Sequence, residues 1–338
     1  MTHTIYAELL DQCRAMQFST HSLPLSGSLV EVPGENDLTY YYLQKSRRVA
    51  GGKQPREFIG SSSYKKVLER VKSFTSDKAI YKSREELVSA LKKNGVTAPT
   101  AKLANLLLTL HDEGVLARSV LVGTLAFQAY GPMLGVKFGQ SAFYTQDVDL
   151  AKADSVELAM PEKPIEKELL DVLKEFDETF DGIMGFDRKQ PPVSYMNKDG
   201  LRVDVLFSFS GPERKKPIRA SKIQSHAHPQ RYLEFLVEAP TEAVLLIGGG
   251  LMCHIPAPAR FALHKLIVSE KRNSSEAARA YKDREQASCL IELLIEEDPE
   301  SLEEAYENLK ARGPKWRANF RKGLEKTRRE DFLEFFQE

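Results

Sequence analysis

The chain has 338 residues, 42% of them hydrophobic and 28% charged, which is an ordinary globular composition with room for a full core and two or three substructures. Basic and acidic residues number 48 each, so no global field draws the protein to nucleic acid or to a membrane, and any such patch must be local. Cys13, Cys253 and Cys289 lie far apart with no C-x-x-C pair, which excludes a disulfide framework and a structural zinc site and fits a reducing, cytoplasmic setting. Residues 1–18 lack the apolar run of a signal peptide and no stretch is long enough to span a bilayer, so no membrane partner is expected.

Within residues 5–16, Ile5, Leu9, Leu10, Cys13 and Met16 recur at helical spacing and predict a short amphipathic helix. Prolines and glycines at Pro24, Gly27, Pro33 and Gly34 then break the chain into extended pieces and turns. The β-prone run 38–43 contains Tyr40, Tyr41 and Tyr42 and predicts a hairpin with residues 56–60, its tip carrying Lys45, Arg47, Arg48 and Lys53. Tyrosines beside a basic tip can stack on and neutralise nucleic acid; more commonly such strands pack on a core and such lysines solvate a loop. Residues 64–74 and 83–93 read as two helices, the second with Ser83 and Glu86 at capping-box spacing and Asn94-Gly95 as its stop. A third helix is expected over residues 100–113, from Leu103, Leu106, Leu107 and Leu110.

Residues 116–122 are nearly continuous apolar sequence and lead into Gly123-Thr124, after which residues 125–130 suit a helix that Gly131-Pro132 ends. Strand, glycine, small hydroxyl and helix form a phosphate-holding arrangement, because glycine admits a ligand to the backbone and the helix N-terminus offers unpaired N–H groups. By itself the dipeptide means no more than a turn. In residues 145–150 an extended strand puts Asp147 and Asp149 on one face and Val148 and Leu150 on the other. Two parallel carboxylates repel, and a hard divalent cation, magnesium or manganese, holds such a pair together. An isolated D-x-D is common, however, and is more often a surface strand end.

Residues 166–180 form an amphipathic pattern suited to covering a sheet. Two strands, 193–196 and 201–207, flank the turn signal Asn197-Lys198-Asp199-Gly200. In the second strand Leu201, Val203 and Val205 share one face and Arg202, Asp204 and Leu206 the other, so Asp204 is a charge in an otherwise apolar strand and needs either an ion-pair partner or a shared metal. Gly248-Gly249-Gly250 between two apolar runs predicts a hairpin turn, and His226, His228 and His254 lack the spacing of a zinc site.

Taken in order, Gly123-Thr124 opening a helix, Asp147-Val148-Asp149 on the next strand and Asp204 on a later one resemble the nucleotidyltransferase superfamily with the polymerase-β-like catalytic fold. That resemblance implies an α+β architecture: a mixed sheet with helices on one side, an N-terminal hairpin and helical region, and a C-terminal helical region. The expected divisions are residues 1–115, 116–240 and 241–338. Two departures stand out: Thr replaces the usual Ser, and the interval from Gly123 to Asp147 is longer than in the commonest members, implying a longer helix or an added turn within 131–139. The family pattern puts the third Asp on an antiparallel strand. Downstream, the sequences at 255–266 and 279–283 look like the AbiE-type nucleotidyltransferase toxins and related bacterial proteins, in which a helix-borne lysine and a later aspartate complete the nucleotide pocket. The likeness spans residues 116–294. By this likeness Lys265 contacts triphosphate and Asp283 orients it or another pocket group; without it, Lys265 reads as a snorkelling lysine and Asp283 as an exposed helix charge.

The resemblance implies Mg2+ (or Mn2+) at Asp147, Asp149 and Asp204, an NTP held by Gly123, Thr124, Lys265 and Asp283, and transfer of NMP to a hydroxyl acceptor with release of pyrophosphate. The acceptor it suggests is RNA, such as a tRNA 3′ end, or protein; a small antibiotic-type molecule fits the same residues. A catalytically silent nucleotide- or nucleic-acid-binding module is the alternative. Nothing in the sequence points to an antitoxin partner. Residues 310–329 carry nine basic residues and one acidic one, a local net charge of +8. Lys315, Arg317 and Arg321 in this run, with Trp316 and Phe320 interleaved, read equally as a nucleic-acid contact and as a solvated helix that docks its aromatics on the core.

Overall fold

A computed structural model describes residues 2–17, 23–45, 54–139, 145–152, 164–185, 187–209 and 216–337. Helix α1 (Thr2–Gln17) buries Leu9 and Cys13, as its spacing predicts, leaves Ile5, Leu10 and Met16 half-buried, and also buries Tyr6. Strands β1 (Ser28–Pro33), β2 (Thr39–Gln44) and β3 (Arg56–Ser61) form a separate antiparallel sheet in that order. The hairpin between β2 and β3 matches the expectation, while its basic tip at residues 46–53 lies outside the described residues.

The expected pair of helices over 64–93 is one continuous helix, α2 (Lys65–Lys93). Residues 75–82 contain no glycine or proline, so nothing interrupts the backbone hydrogen-bond ladder, and Ser83 sits inside the helix instead of capping a new one. The length of α2 lets it join two parts of the molecule. Near its middle Lys78 donates to the Leu25 and Gly27 carbonyls, at 2.5 and 2.9 Å, and further on buried Arg84 donates to the Gly249 and Gly250 carbonyls, at 2.6 and 3.0 Å. Helix α3 (Ala101–Asp112) follows, capped by Thr100, whose hydroxyl accepts from the Leu103 N–H.

Strand β4 (Val120–Val122) is shorter than predicted because residues 116–118 close into a 3-10 turn. Helix α4 (Gly123–Leu134) starts at the glycine itself and runs past Pro132, ending where Gly135 takes a left-handed φ of 76°. The Gly131-Pro132 pair therefore does not stop it. Strand β5 (Asp147–Lys152) follows, and then α5 (Leu169–Phe176), shorter than its pattern suggests because Asp177 turns the chain by accepting from the Thr179 N–H and hydroxyl, at 2.9 and 2.7 Å. Strands β6 (Asp181–Gly182), β7 (Ser194–Met196) and β8 (Arg202–Ser208) come next, with β7 and β8 forming the predicted hairpin around residues 197–200. The chain continues through β9 (Ile218–Ala220), β10 (Ser225–Gln230), α6 (Leu233–Val237), β11 (Pro240–Leu245) and β12 (Leu251–Pro256), the last two joined at the triple glycine. Helices α7 (Pro258–Ser269), α8 (Ala277–Glu297), α9 (Pro299–Ala311), α10 (Pro314–Glu325) and α11 (Glu330–Phe335) complete it.

The main sheet is mixed, in the order β11-β12-β4-β5-β8-β10-β9, with β7 also on β8 and β6 on β7. Strand β8 lies parallel to β5, not antiparallel as the family pattern led us to expect. The intervening chain explains this: it leaves β5, crosses through α5 and returns along β7, so the antiparallel partner created by the hairpin is β7 and β8 runs alongside β5. The principal core is continuous from α3 through the sheet to α7–α11, and includes Val148, Leu150, Val203 and Val205 at zero exposure. No helix among the described residues is long and apolar enough to cross a membrane.

The continuity of α2 is testable. A Ser83→Pro substitution inside one uninterrupted helix should cost about 3 kcal/mol or more in urea unfolding, whereas a helix beginning at residue 83 would accept proline in its first turn nearly without loss.

Candidate active site

Strand period and register assemble the core of the site. In the parallel pair β5–β8, Asp147 stands beside Arg202 and Asp149 beside Asp204, while the alternate positions Val148 and Val203 point into the hydrophobic core. One face thus presents a square of four charged residues, three of them acidic. Strand β4 flanks β5 on the other side, with Val122 opposite Asp149, so the chain leaves β4 directly beside the carboxylates. Gly123 makes that exit with φ +69°, and a Cβ there would collide with the Asp149 carboxylate oxygen Oδ2. Glycine is therefore required twice, for the left-handed backbone and for the close approach. Thr124 lies next to it in the first turn of α4, also facing the cleft.

The carboxylates feel one another. Burial, then the neighbouring charges of Asp204 and Asp147, push the Asp149 carboxyl from 3.8 up to about 7, although Lys265 and Arg202 pull the other way. Arg202 partly balances the square, its Nε donating to Asp204 Oδ1 at 2.9 Å. The ion-pair reading of Asp204 and its place beside Asp149 are thus both realised.

The opposite wall of the cleft comes from α7 and α8. Phe261, His264, Lys265 and Val268 recur at helical spacing along α7 and line the cleft. Lys265 Nζ donates to Asp283 Oδ1 at 2.6 Å, and Arg272 Nε donates to Asp283 Oδ2 at 3.1 Å. Asp283 is only 3% exposed, so the bare sequence reading of an exposed helix charge is wrong. Burial works to raise its carboxyl, but Lys265 and Arg272 outweigh it and hold it below the ordinary value. Beside it, burial and then Lys265 lower the Lys282 ammonium, against the raising influence of Asp283, Asp147 and Asp149. His264 is buried and neutral, held down to about 3 by burial and by Lys265, and its Nε2 has no hydrogen-bond partner among the described residues.

The cleft enclosed by these elements has a volume of about 500 Å³. It brings together Gly123, Thr124, Asp147, Asp149, Asp204, Lys265 and Asp283, all singled out from sequence. Arg202, Arg272, Arg279 and Lys282 also line it, and sequence reasoning missed them as site residues. For Arg279 a signal was present: it precedes Asp283 by four residues on the same helix, the spacing at which side chains share a face. Lys315, Arg317 and Arg321 do not line the cleft. They are exposed on α10, where Arg321 pairs with Glu325 at 3.2 Å and Arg317 donates to the Lys310 carbonyl, while Trp316 packs on Tyr232 and Phe320 is buried.

Among the described residues no group of three or more His, Cys, Asp or Glu side chains is gathered as a metal cage. Magnesium does not need one, because it is commonly bound by one or two carboxylates together with substrate phosphates and water. The donor set suits it: oxygen ligands only, with Asp149 resisting ionisation through burial and then through the charge of neighbouring Asp204, both of which a cation between them would offset.

A protein-family model described as "Nucleotidyltransferase" matches residues 101–311, which include every cleft residue named above. No curated protein sequence matches the chain. Among solved structures, an antigenic nucleotidyltransferase-like protein from Paracoccidioides brasiliensis aligns at 15% identity over 66% of this chain and 94% of that one, with a TM-score of 0.30.

Two outcomes follow from this geometry. Gly123→Ala should destabilise the protein by about 1–3 kcal/mol in denaturant titrations, through the left-handed backbone and the collision with Asp149. The folded state also keeps the Asp149 proton up to about pH 7, whereas the unfolded chain releases it near 3.8. Metal-free protein should therefore lose stability as pH rises through that interval and level off above it, and Asp149→Asn should remove that loss.

Proposed function

The chain belongs to this nucleotidyltransferase family and is a nucleotidyltransferase, and on that premise we propose that it transfers NMP from an NTP to a hydroxyl acceptor at the β4–β5–β8 cleft. The observation that carries the proposal is the register match of Asp149 with Asp204 against the Gly123 turn, facing a wall that bears Lys265, Arg272 and Lys282. Acid on one side and base on the other suit a metal–triphosphate substrate, whose cation and phosphates need opposite partners.

In this reading Asp147, Asp149 and Asp204 hold the divalent ion, Mg2+ or Mn2+, which when bound supplies charge neutralisation at the α-phosphate. The Gly123 backbone and Thr124 hydroxyl hold the phosphates that leave, at the start of α4 where N–H groups lack helical partners. Lys265, fixed by Asp283, faces the charge that develops on pyrophosphate as its bond to the α-phosphorus breaks. Asp204 receives the proton of the acceptor hydroxyl as its oxygen bonds to that phosphorus. Arg202 stands where it can balance Asp204 before substrate arrives and turn to phosphate afterwards. The polymerase-β-like core and the likeness to AbiE-type toxins belong to this proposal, the second resting on the sequences at 255–266 and 279–283 alone.

Incubation with each α-labelled NTP, magnesium and cell extract, scored for label in RNA, protein or small molecules and for pyrophosphate, tests the reading directly. Asp147→Ala, Asp149→Ala and Asp204→Ala should each abolish transfer with an unchanged or higher melting temperature, and Asp149→Asn should lose magnesium binding by calorimetry. Full transfer by the Asp149 variants would sink it.

A further inference from the structure

The cleft has two chemically unlike sides, and the phase of α7 divides them. Arg260, His264 and Val268 recur every four residues, and Arg260 donates to the Phe235 carbonyl of α6 at 3.1 Å, so this stripe of α7 faces α6. Lys265 and Arg272, seven residues apart, form the neighbouring stripe, which turns to Asp283 on α8. Helix α6 runs antiparallel to α7, because its Phe235 meets Arg260 at one end while Tyr232, just ahead of it, meets Lys271 at the other. Leu233 and Leu236 of α6, both lining the cleft, therefore lie alongside Val268 and His264.

The sheet completes that side. Leu206 follows Asp204 on the same face of β8, on the side away from Arg202, and α6 packs against β8. Gln230 closes β10, the strand beside β8, and also lines the cleft. Leu206, Leu233, Leu236 and Val268 are apolar, and His264 is held neutral by burial, so the α6 side of the cleft is uncharged. Its polar groups are the half-buried Gln230 amide and the His264 imidazole, 6% exposed, neither with a side-chain hydrogen bond among the described residues.

An NTP is divided in the same way. Its triphosphate and metal require charge, which the carboxylates and the Lys265 stripe hold; its base is a flat, uncharged ring with donors and acceptors along one edge. Apolar walls with a few placed polar groups suit such a ring. An amide among them is costly unless the ligand pairs with it, and that pairing makes the site selective.

Resting on the transfer reading above, we propose that the α6 side of the cleft seats the nucleobase of the NTP and that Gln230 selects it, the amide donating to the base edge and accepting from it at once. Leu206, Leu233, Leu236 and Val268 supply the walls, and the base lies on the opposite side of the Lys265 stripe from Asp283.

Calorimetry in magnesium with each NTP and with inorganic tripolyphosphate, without acceptor, tests this. One NTP should bind about tenfold more tightly than the least favoured, and more tightly than tripolyphosphate. Gln230→Leu should bring the four NTPs to within about threefold of one another, and Val268→Trp, which fills the apolar side, should weaken every NTP about tenfold or more. Both variants should bind tripolyphosphate like the unaltered protein, which also shows that they fold; should the leucine variant not fold, Gln230→Asn, which draws the amide back by one methylene, should narrow the preference instead. Equal binding of the four NTPs by the unaltered protein, or a preference that survives loss of the Gln230 amide, overturns its role as selector. Tripolyphosphate binding as tight as that of every NTP, or NTP binding untouched by Val268→Trp, overturns the base site, and the transfer reading survives either result. Absence of binding by NTPs and tripolyphosphate alike overturns that reading and the base site with it.

Discussion

Burial of the Asp149 carboxylate against Asp204, fixed side by side by the parallel pairing of β5 and β8, governs the arrangement around them. A strand pair with hydrophobic inward positions cannot rotate its carboxylates away, because a shift of one residue would expose Val148 and Val203 and bury the acids. The protein instead surrounds the acids with fixed counter-charge. Arg202 sits on the same face, Lys265 and Lys282 act from α7 and α8, and the Gly123 turn leaves no side-chain volume where Asp149 needs room.

The basic wall is held at the right height by buried contacts. Asp283 fixes Lys265 and Arg272 together, so the lysine is not a flexible surface charge but one end of a partly buried three-member network. Leaving any one member alone would strand a buried charge, a larger penalty than the net worth of the pair. Helix α7 is anchored in turn: the Tyr130 hydroxyl of α4 donates to the Pro256 carbonyl at 2.8 Å, just before α7 begins, so the helix that follows the phosphate turn and the helix that bears the lysine are tied by one buried hydrogen bond. Such ties between the two walls preorganise the cleft for a charged substrate.

The sequence made the acidic half of this cleft legible because strand alternation is a local property. Asp147, Asp149 and Asp204 were placed on their faces by period 2 alone, and the Gly123 turn by the change from apolar run to helix. What sequence could not supply was the direction of β8, which depends on the path of the intervening chain, and the union of α2, where a capping-box spacing was outweighed by an uninterrupted helical ladder. Arg272, Arg279 and Lys282 were missed for a similar reason: a cation looks alike in sequence whether it meets solvent or lines a cleft, and only the packing of α7 on α8 places these three in the cleft wall. Asp283 was recovered by family likeness, yet its burial emerges only from the packing of α7 on α8.

The charge run at 310–329 shows the same limit from the opposite side. Read along the chain it is the strongest basic signal, but in the folded protein Arg312 meets Glu234 and Glu238, Lys326 meets Glu270, and Arg329 meets Glu292 and Asp331. Acids in or just past α6, α7, α8 and α11 thereby neutralise much of a field that linear counting had left at +8. A protein of zero net charge can therefore present an acid-and-base cleft, because a charged substrate responds to the charge within a Debye length of that surface and not to the sum over the chain.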